Sequence, residues 1–341
     1  MNDTLNDLRP GARTAVRTCM NVQPADRVLI LTDDACLTIG EALALEALAT
    51  GAAVSLHRLE AFAPRPILDL PAGLQETYEQ ARPTVSFFAA SSQPGEIAFR
   101  VKLGQVLRGH GAGVRHGHMP GVSPVLMREG MTTDYDRIYE ITNRVTAIAR
   151  TARTMHITNP KGTDLHAEFS PDLRWVPCHG RYHTPGDWGN LPEGETFTSP
   201  ANLHGVLVAD ILGDHFSDKY GLLKHPVRFT LADGVVVDVA CADQALADEV
   251  IAYLDSSENG RRAGEFAIGT NVGLTRLVGN LLQDEKYPGI HVAFGNPYPD
   301  RTGAQWTASI HVDVIPTDCT IDVDGRRIMN AGVFTDDIVG Y

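Results

Sequence analysis

Residues Arg27–Asp34, RVLILTDD, followed closely by Leu37–Ala52, LTIGEALALEALATGA, decide the fold class of the first part of the chain. RVLIL is a short unbroken apolar run, the pattern of a strand buried on both faces. The stretch after it is amphipathic and long enough for a helix. The alternation then repeats: AVSLHRLE (Ala53–Glu60), TVSFFAASS (Thr84–Ser92) and GVRHGHMPG (Gly113–Gly121) read as strands. LQETYEQA (Leu74–Ala81), the segment around EIAFRVKLGQVL (Glu96–Leu107) and DYDRIYEITNRVTAIARTA (Asp134–Ala152) read as the helices between and after them. Strands alternating with helices at this spacing imply a parallel sheet covered on both faces, a doubly wound α/β domain over residues 1–150. The turn TDDACLTIG (Thr32–Gly40) contains no GxGxxG, so NAD and FAD are not expected.

From residue 151 the texture changes. MHITNPKGTDLHAEF (Met155–Phe169), PVRFTLADGVVVDVA (Pro226–Ala240) and TIDVDGRRIMNAG (Thr320–Gly332) read as strands joined by Gly, Asn and Asp turns. The ADG and VDG turns sit between alternating runs, as in hairpins. One helix, within QALADEVIAYLDSSENGRRAG (Gln244–Gly264), lies among them. Residues 151–341 therefore read as a β-rich α+β domain.

Composition excludes several partners. Acidic side chains number 42 against 29 basic ones, for a net charge of −13, and no Lys/Arg block interrupts that balance, so nucleic acid and anionic lipid lack their electrostatic footprint. The polar start MNDTLNDLRPG and the lack of a long apolar run give no sign of a signal peptide or a membrane span, which makes a cytoplasmic protein the expectation. The five cysteines are odd in number, widely spaced and without CxxC, as expected of reduced thiols.

The second half concentrates groups able to hold a cation. In SIHVDVI (Ser309–Ile315), strand alternation puts His311 and Asp313 on one face and Ile310, Val312 and Val314 on the other. IHVAF sets His291 in a strand of buried type, and GEFAI does the same for Glu265, where an unneutralised charge costs several kcal/mol. Glu193 and Glu195 stand in NLPEGETFTSP, and Asp284 and Glu285 in LLQDEK. Carboxylates and imidazoles together suit hard-to-borderline divalent ions.

NLPEGETFTSP, GEFAIGTN, DEKYPGIHVAFGNPY and SIHVDV, in this order and with KGTDL and GDWGN upstream, resemble the signature segments of the aminopeptidase T family of metallopeptidases, which are leucyl aminopeptidase-like hydrolases. The resemblance covers most of residues 115 to 335 and is looser in the first hundred. It implies two divalent ions, zinc, cobalt or manganese, held by Glu195, Glu265, His291, His311 and Asp313, with Tyr298 beside them to hydrogen-bond an oxyanion. It also implies a homodimer acting on a short peptide or other small substrate. A metal pair can polarise an amide carbonyl and lower the pKa of a water. Glu193, two residues from a ligand, is the first candidate for general base, with Glu285 competing and a turn-solvated carboxylate the plainer reading of Glu193.

A second branch with the same fold opposes this reading. The chain is shorter at its N-terminal end than the well-established peptidases, and relatives of about this length include the 2,5-dihydroxypyridine dioxygenases, which resemble it but use one ferrous ion to open an aromatic ring. His291, His311 and Asp313 alone would supply their two-histidine, one-carboxylate triad. Glu195 and Glu265 favour the hydrolase, because a second ion needs extra carboxylates and an oxygenase needs open positions. Outside this set, His118, paired with His116 in RHGHMPG, is a candidate proton-transfer group at a strand end. PCHGRYHTPGDWGN (Pro177–Asn190) reads as a loop over a pocket or a surface turn, and Asp164 as a residue that hydrogen-bonds a turn.

Overall fold

A computed structural model describes residues 4–109 and 113–340. The chain divides into two compact units, Met1–Asp136 with Gly180–Glu193, and Arg137–His179 with Gly194–Tyr341.

The first unit is built on a five-stranded parallel sheet in the order Ala53–Arg58, Arg27–Thr32, Val85–Ala90, Arg115–Pro120, Trp188–Asn190. Leu29, Leu31 and Phe88 point to one face, where Leu74 and Tyr78 of helix Ala72–Ala81 and Phe99 and Leu103 of helix Ile97–Gly109 bury against them. Helix Leu37–Leu48 covers the other face: a Cβ on its Gly40 would meet the Thr32 side chain at 3.0 Å and Leu56 Cδ1 at 3.1 Å. Helices on both faces make the sheet doubly wound, as the alternation predicts. The last strand is new. Trp188–Asn190 lies within the stretch read as a loop, and its three residues carry no strand pattern; pairing of Gly189 with Gly117 and Asn190 with His118 makes it a strand.

The second unit contains an eight-stranded and a six-stranded antiparallel sheet sharing one apolar core. Leu165, Leu203 and Phe229 enter it from the larger sheet, and Phe266, Val292 and Val314 from the smaller. Sequence alternation places the start of the β-rich part at residue 151, whereas this unit takes in helix Tyr135–Ala149 from Arg137 onward. The reason is packing, because Ile141, Val145 and Ala149 join Met155 and Ile157 in the shared core. Both expected hairpins form: Asp233 and Gly234 (φ 50° and 74°) join Val227–Ala232 to Val235–Ala240, and Asp324 and Gly325 (φ 47° and 82°) join Thr320–Val323 to Arg326–Asn330. Two successive positive φ values are the type I′ condition that Asp-Gly meets.

Helix Gln244–Asp255 begins where Asp243 accepts from the Leu246 N–H. All five cysteines are free thiols. Among the described residues, no helix is long and apolar enough to cross a membrane.

Candidate metal centre

Four adjacent strands of the six-stranded sheet carry the site: Glu195–Thr198, Ala263–Gly269, Gly289–Gly295 and His311–Ile315. Their register sets Gly269 opposite Glu195, Ala267 opposite His291, Ala293 opposite both Glu265 and Asp313, and Gly295 opposite His311. With a side-chain period of two, Glu195, Glu265, His291, His311 and Asp313 therefore share one face. Phe266, Ile268, Val292, Phe294, Val312 and Val314 occupy the other face, in the core. A register shift between Ala263 and Glu265 marks a bulge beside the site, a device that re-aims a side chain.

The five groups converge. Nε2 of His291 lies 3.4 Å from Glu195 Oε2, 3.5 Å from Glu265 Oε1 and 3.9 Å from Asp313 Oδ1. Nε2 of His311 lies 3.6 Å from both Glu265 Oε2 and Asp313 Oδ1. These separations are long for hydrogen bonds. They fit two ligands of one ion, since donors about 2.1 Å from a tetrahedral ion stand roughly 3.4 Å apart. Oε2 of Glu195 is buried without a hydrogen-bond partner among the described residues, a costly arrangement that a cation beside it relieves; Nδ1 of His291 is likewise buried without one. Nδ1 of His311 donates to the Asn296 carbonyl at 2.9 Å, which leaves Nε2 as a ligand lone pair in the neutral ring. The donor set and its spacing fit divalent ions.

Two further groups enter the cluster. Lys286 is fully buried, with Nζ 2.8 Å from Glu195 Oε1 and 2.7 Å from Glu285 Oε1. Glu285 also stands with His291 and Asp313, one donor atom of each lying within 4.8 Å of the others. Sequence reading missed Lys286, since a lysine after two acids and before YPG looks like surface charge. Its neighbour Asp284 acts on the backbone instead: the carboxylate accepts from the N–H groups of Val278, Gly279 and Asn280 and so shapes the loop.

Electrostatics follow from crowding four carboxylates into a buried space. Burial opposes protonation of His291, but Glu265, Glu195 and Asp313 outweigh it and raise its pKa to about 9. His311 rises to about 10, where Asp313 and Glu265 overcome the same effect of burial. Burial also works against ionisation of Asp313, yet His311 and His291 hold its pKa below the ordinary carboxylate value. Glu285 is pushed up to about 8 by burial, against Lys286 and with the help of Glu195 and Asp313. These directions describe the metal-free protein.

Tyr298 adjoins the cluster, its ring 4.7 Å from that of His311 and 6.0 Å from that of Phe197. Burial of its hydroxyl end, with Glu265 and Asp313 nearby, raises its pKa well above the ordinary phenol value. Tyr298 is 40% exposed and the His311 side chain 20%, whereas those of Glu195, Glu265, His291 and Asp313 are below 10%, so the cluster opens at these two rings.

The other two candidates lie in the first unit. Glu193 is buried there, its Oε2 accepting from Tyr182 Oη at 3.2 Å. Ser86 Oγ is 2.7 Å from His116 Nδ1, His116 Nε2 is 3.3 Å from His118 Nδ1, and His118 stacks on Phe88. Burial lowers His116 to about 4 and His118 well below the usual imidazole value, so both rings are neutral at pH 7.

No individually curated protein matches the chain. Among solved structures, the 2,5-dihydroxypyridine dioxygenase of Pseudomonas putida KT2440 is similar with a TM-score of 0.70 at 16% identity, over 97% of this chain and 98% of that one. Wild-type AmpT from Thermus thermophilus is similar with a TM-score of 0.65 at 20% identity, over 97% of this chain and 99% of that one. At these identities the likeness is one of fold. The profile of the thermophilic metalloproteases (M29) matches residues 133–328, more than half of the chain and all five carboxylate and imidazole positions on the shared sheet face. The chain belongs to the thermophilic metalloprotease (M29) family.

Proposed function

We propose that the protein is an aminopeptidase that releases the N-terminal residue of short peptides, using two divalent ions held by Glu195, Glu265, His291, His311 and Asp313. The observation that carries this reading is the convergence of Glu195 and Glu265 on His291, at 3.4 and 3.5 Å, beside the His311–Asp313 pair. Two carboxylates beyond a three-residue triad are what a second ion requires. When bound, zinc, cobalt or manganese supplies positive charge for an amide carbonyl and a water of lowered pKa.

The chain's own residues do the rest. Rigid strands hold the ligands in place. Tyr298, protonated at neutral pH, donates a hydrogen bond to the carbonyl oxygen as negative charge develops there and keeps its proton. Glu285, a donor atom of which lies within 4.8 Å of those of His291 and Asp313, is the group that takes and returns a proton. The reading includes a homodimer, as the family resemblance implies; light scattering that returns the mass of one chain counts against it.

One observation favours a second reading, a ring-cleaving dioxygenase with a single ferrous ion on His291, His311 and Asp313. Lys286 Nζ, 2.8 Å from Glu195 Oε1, already brings a positive charge to the carboxylate that a second ion needs. The two readings make opposite demands. Aminoacyl p-nitroanilides are assayed without air in the presence of cobalt, zinc or manganese, and 2,5-dihydroxypyridine is assayed with ferrous iron in air. Anilide cleavage is expected. Oxygen uptake with the pyridine, and no anilide cleaved under any metal, overturns the peptidase.

A further inference from the structure

We infer that the solvent face of the eight-stranded sheet carries a separate metal site, in which His156, His166 and Asp164 hold one divalent ion of the zinc, copper or nickel type. The inference is independent of the aminopeptidase reading.

Strands Thr154–Thr158, Asp164–Glu168 and Asn202–Ala209 are neighbours in this sheet. Their register sets His156 opposite His166 and His166 opposite His204, so three histidines far apart in sequence form one cross-strand row. Leu165 and Ala167 point into the core, which turns Asp164 and His166 outward together. The rings of His156 and His166 stack 4.2 Å apart with planes within 5°, and His204 lies on the other side of His166 at 5.0 Å and 10°. Parallel stacking sends the ring edges in a common direction, and Asp164 meets them there. Its Oδ1 is 2.8 Å from Nε2 of His156 and 3.7 Å from Nε2 of His166.

One donor atom from each of the three residues lies within 4.8 Å of the others, so a small rotation of one exposed ring brings all three to an ion about 2.1 Å from each, whose donors stand at most about 4.2 Å apart. Asp164 thus starts a strand and pairs with imidazoles, where the sequence suggested a turn partner. Two imidazoles and one carboxylate make a borderline donor set, selective for zinc-, copper- or nickel-type ions over magnesium or calcium. On binding, the ion takes the place of the hydrogen bond between His156 Nε2 and Asp164 Oδ1, and the neutral His156 ring carries its proton on Nδ1 instead. Three protein ligands leave a position open to water or to an oxygen or nitrogen donor from another molecule. A shallow pocket of about 270 Å³, lined by His156, His166, His204 and Asp322, gives that ligand room.

The test is zinc and copper binding by the full chain stripped of metal, read by calorimetry and, for copper, by electron paramagnetic resonance. Wild type is compared with H156A/H166A and with D164N. Wild type is expected to bind one more ion per chain than the double variant, whose copper spectrum loses the nitrogen couplings of that extra ion. D164N, which keeps both rings and removes only charge, is expected to weaken the extra ion about tenfold. Unchanged melting temperatures of the metal-free variants show that they are folded, as expected for exposed positions. Equal stoichiometry and affinity in all three proteins overturns the inference and leaves a solvated histidine stack.

Discussion

Lys286 brings one positive charge into a buried cluster that also holds Glu195, Glu265, Glu285 and Asp313. Lys286→Met leaves Glu195 and Glu285 facing each other without their common partner, and breaking a buried pair in this way costs about 3–5 kcal/mol. The metal-free variant should melt well below wild type, and added zinc should raise its melting temperature more than it raises that of wild type. Equal zinc-induced shifts in the two proteins would show that Lys286 is not the local counter-charge. Glu265→Gln and His291→Ala should each lower metal affinity by more than about 100-fold, as measured by competition with a chelator, without unfolding the first unit. For peptide hydrolysis, Tyr298→Phe should reduce kcat by about 10²-fold with little change in KM, the pattern of an interaction made only in the transition state.

Each strand of the six-stranded sheet that carries the site also fills the core with its opposite face. Phe266 lies on the core face between Glu265 and Ala267 of the site face and is completely buried against Phe169 and Trp175. Phe266→Ala should cost about 3–5 kcal/mol in a denaturant titration of the second unit. Gly213 supports the site from outside these strands: its N–H donates to the Asp313 carbonyl, and a Cβ there would stand 2.8 Å from both Asp313 N and Oδ2. Gly213→Ala must shift the Asp313 backbone and carboxylate or move its own loop away from them. It should weaken metal binding about tenfold while circular dichroism stays that of wild type; unchanged affinity would mean that the loop yields instead.

For the molecule as a whole, the site ties stability to pH with opposite signs in its two states. Without metal, His291 and His311 have pKa values near 9 and 10, above the ordinary imidazole value of about 6.5. A raised folded-state pKa means that the folded chain holds protons the unfolded chain has released. This contribution is therefore complete below pH about 6.5 and is lost as pH rises through about 9 to 10. Ligation needs neutral rings, so ion binding expels protons and strengthens with pH over the same window. The melting temperature of metal-free protein should fall between pH 7 and 10 while the stabilisation added by zinc grows. Calorimetry in two buffers of different ionisation enthalpy should detect proton release at pH 8, and identical heats in both would refute the coupling.

Much of this was legible in the residues themselves. RVLILTDD and the stretches after it imply the parallel sheet, because a strand buried on both faces and an amphipathic helix each leave a local hydrophobic pattern. Asp-Gly in ADG and VDG determines two hairpins, since few other residues accept consecutive positive φ values. Alternation in IHVAF and SIHVDV assigns His291, His311 and Asp313 to their faces before any strand is paired. Only tertiary structure decided what pairing creates. Trp188–Asn190 becomes a strand because Arg115–Pro120 offers it an edge. Helix Tyr135–Ala149 goes largely to the second unit because its apolar side meets that core. Lys286 is a buried counter-ion because Glu195 and Glu285 stand on either side of it. The row of His156, His166 and His204 exists only through strand register, a long-range relation that no local window of sequence contains.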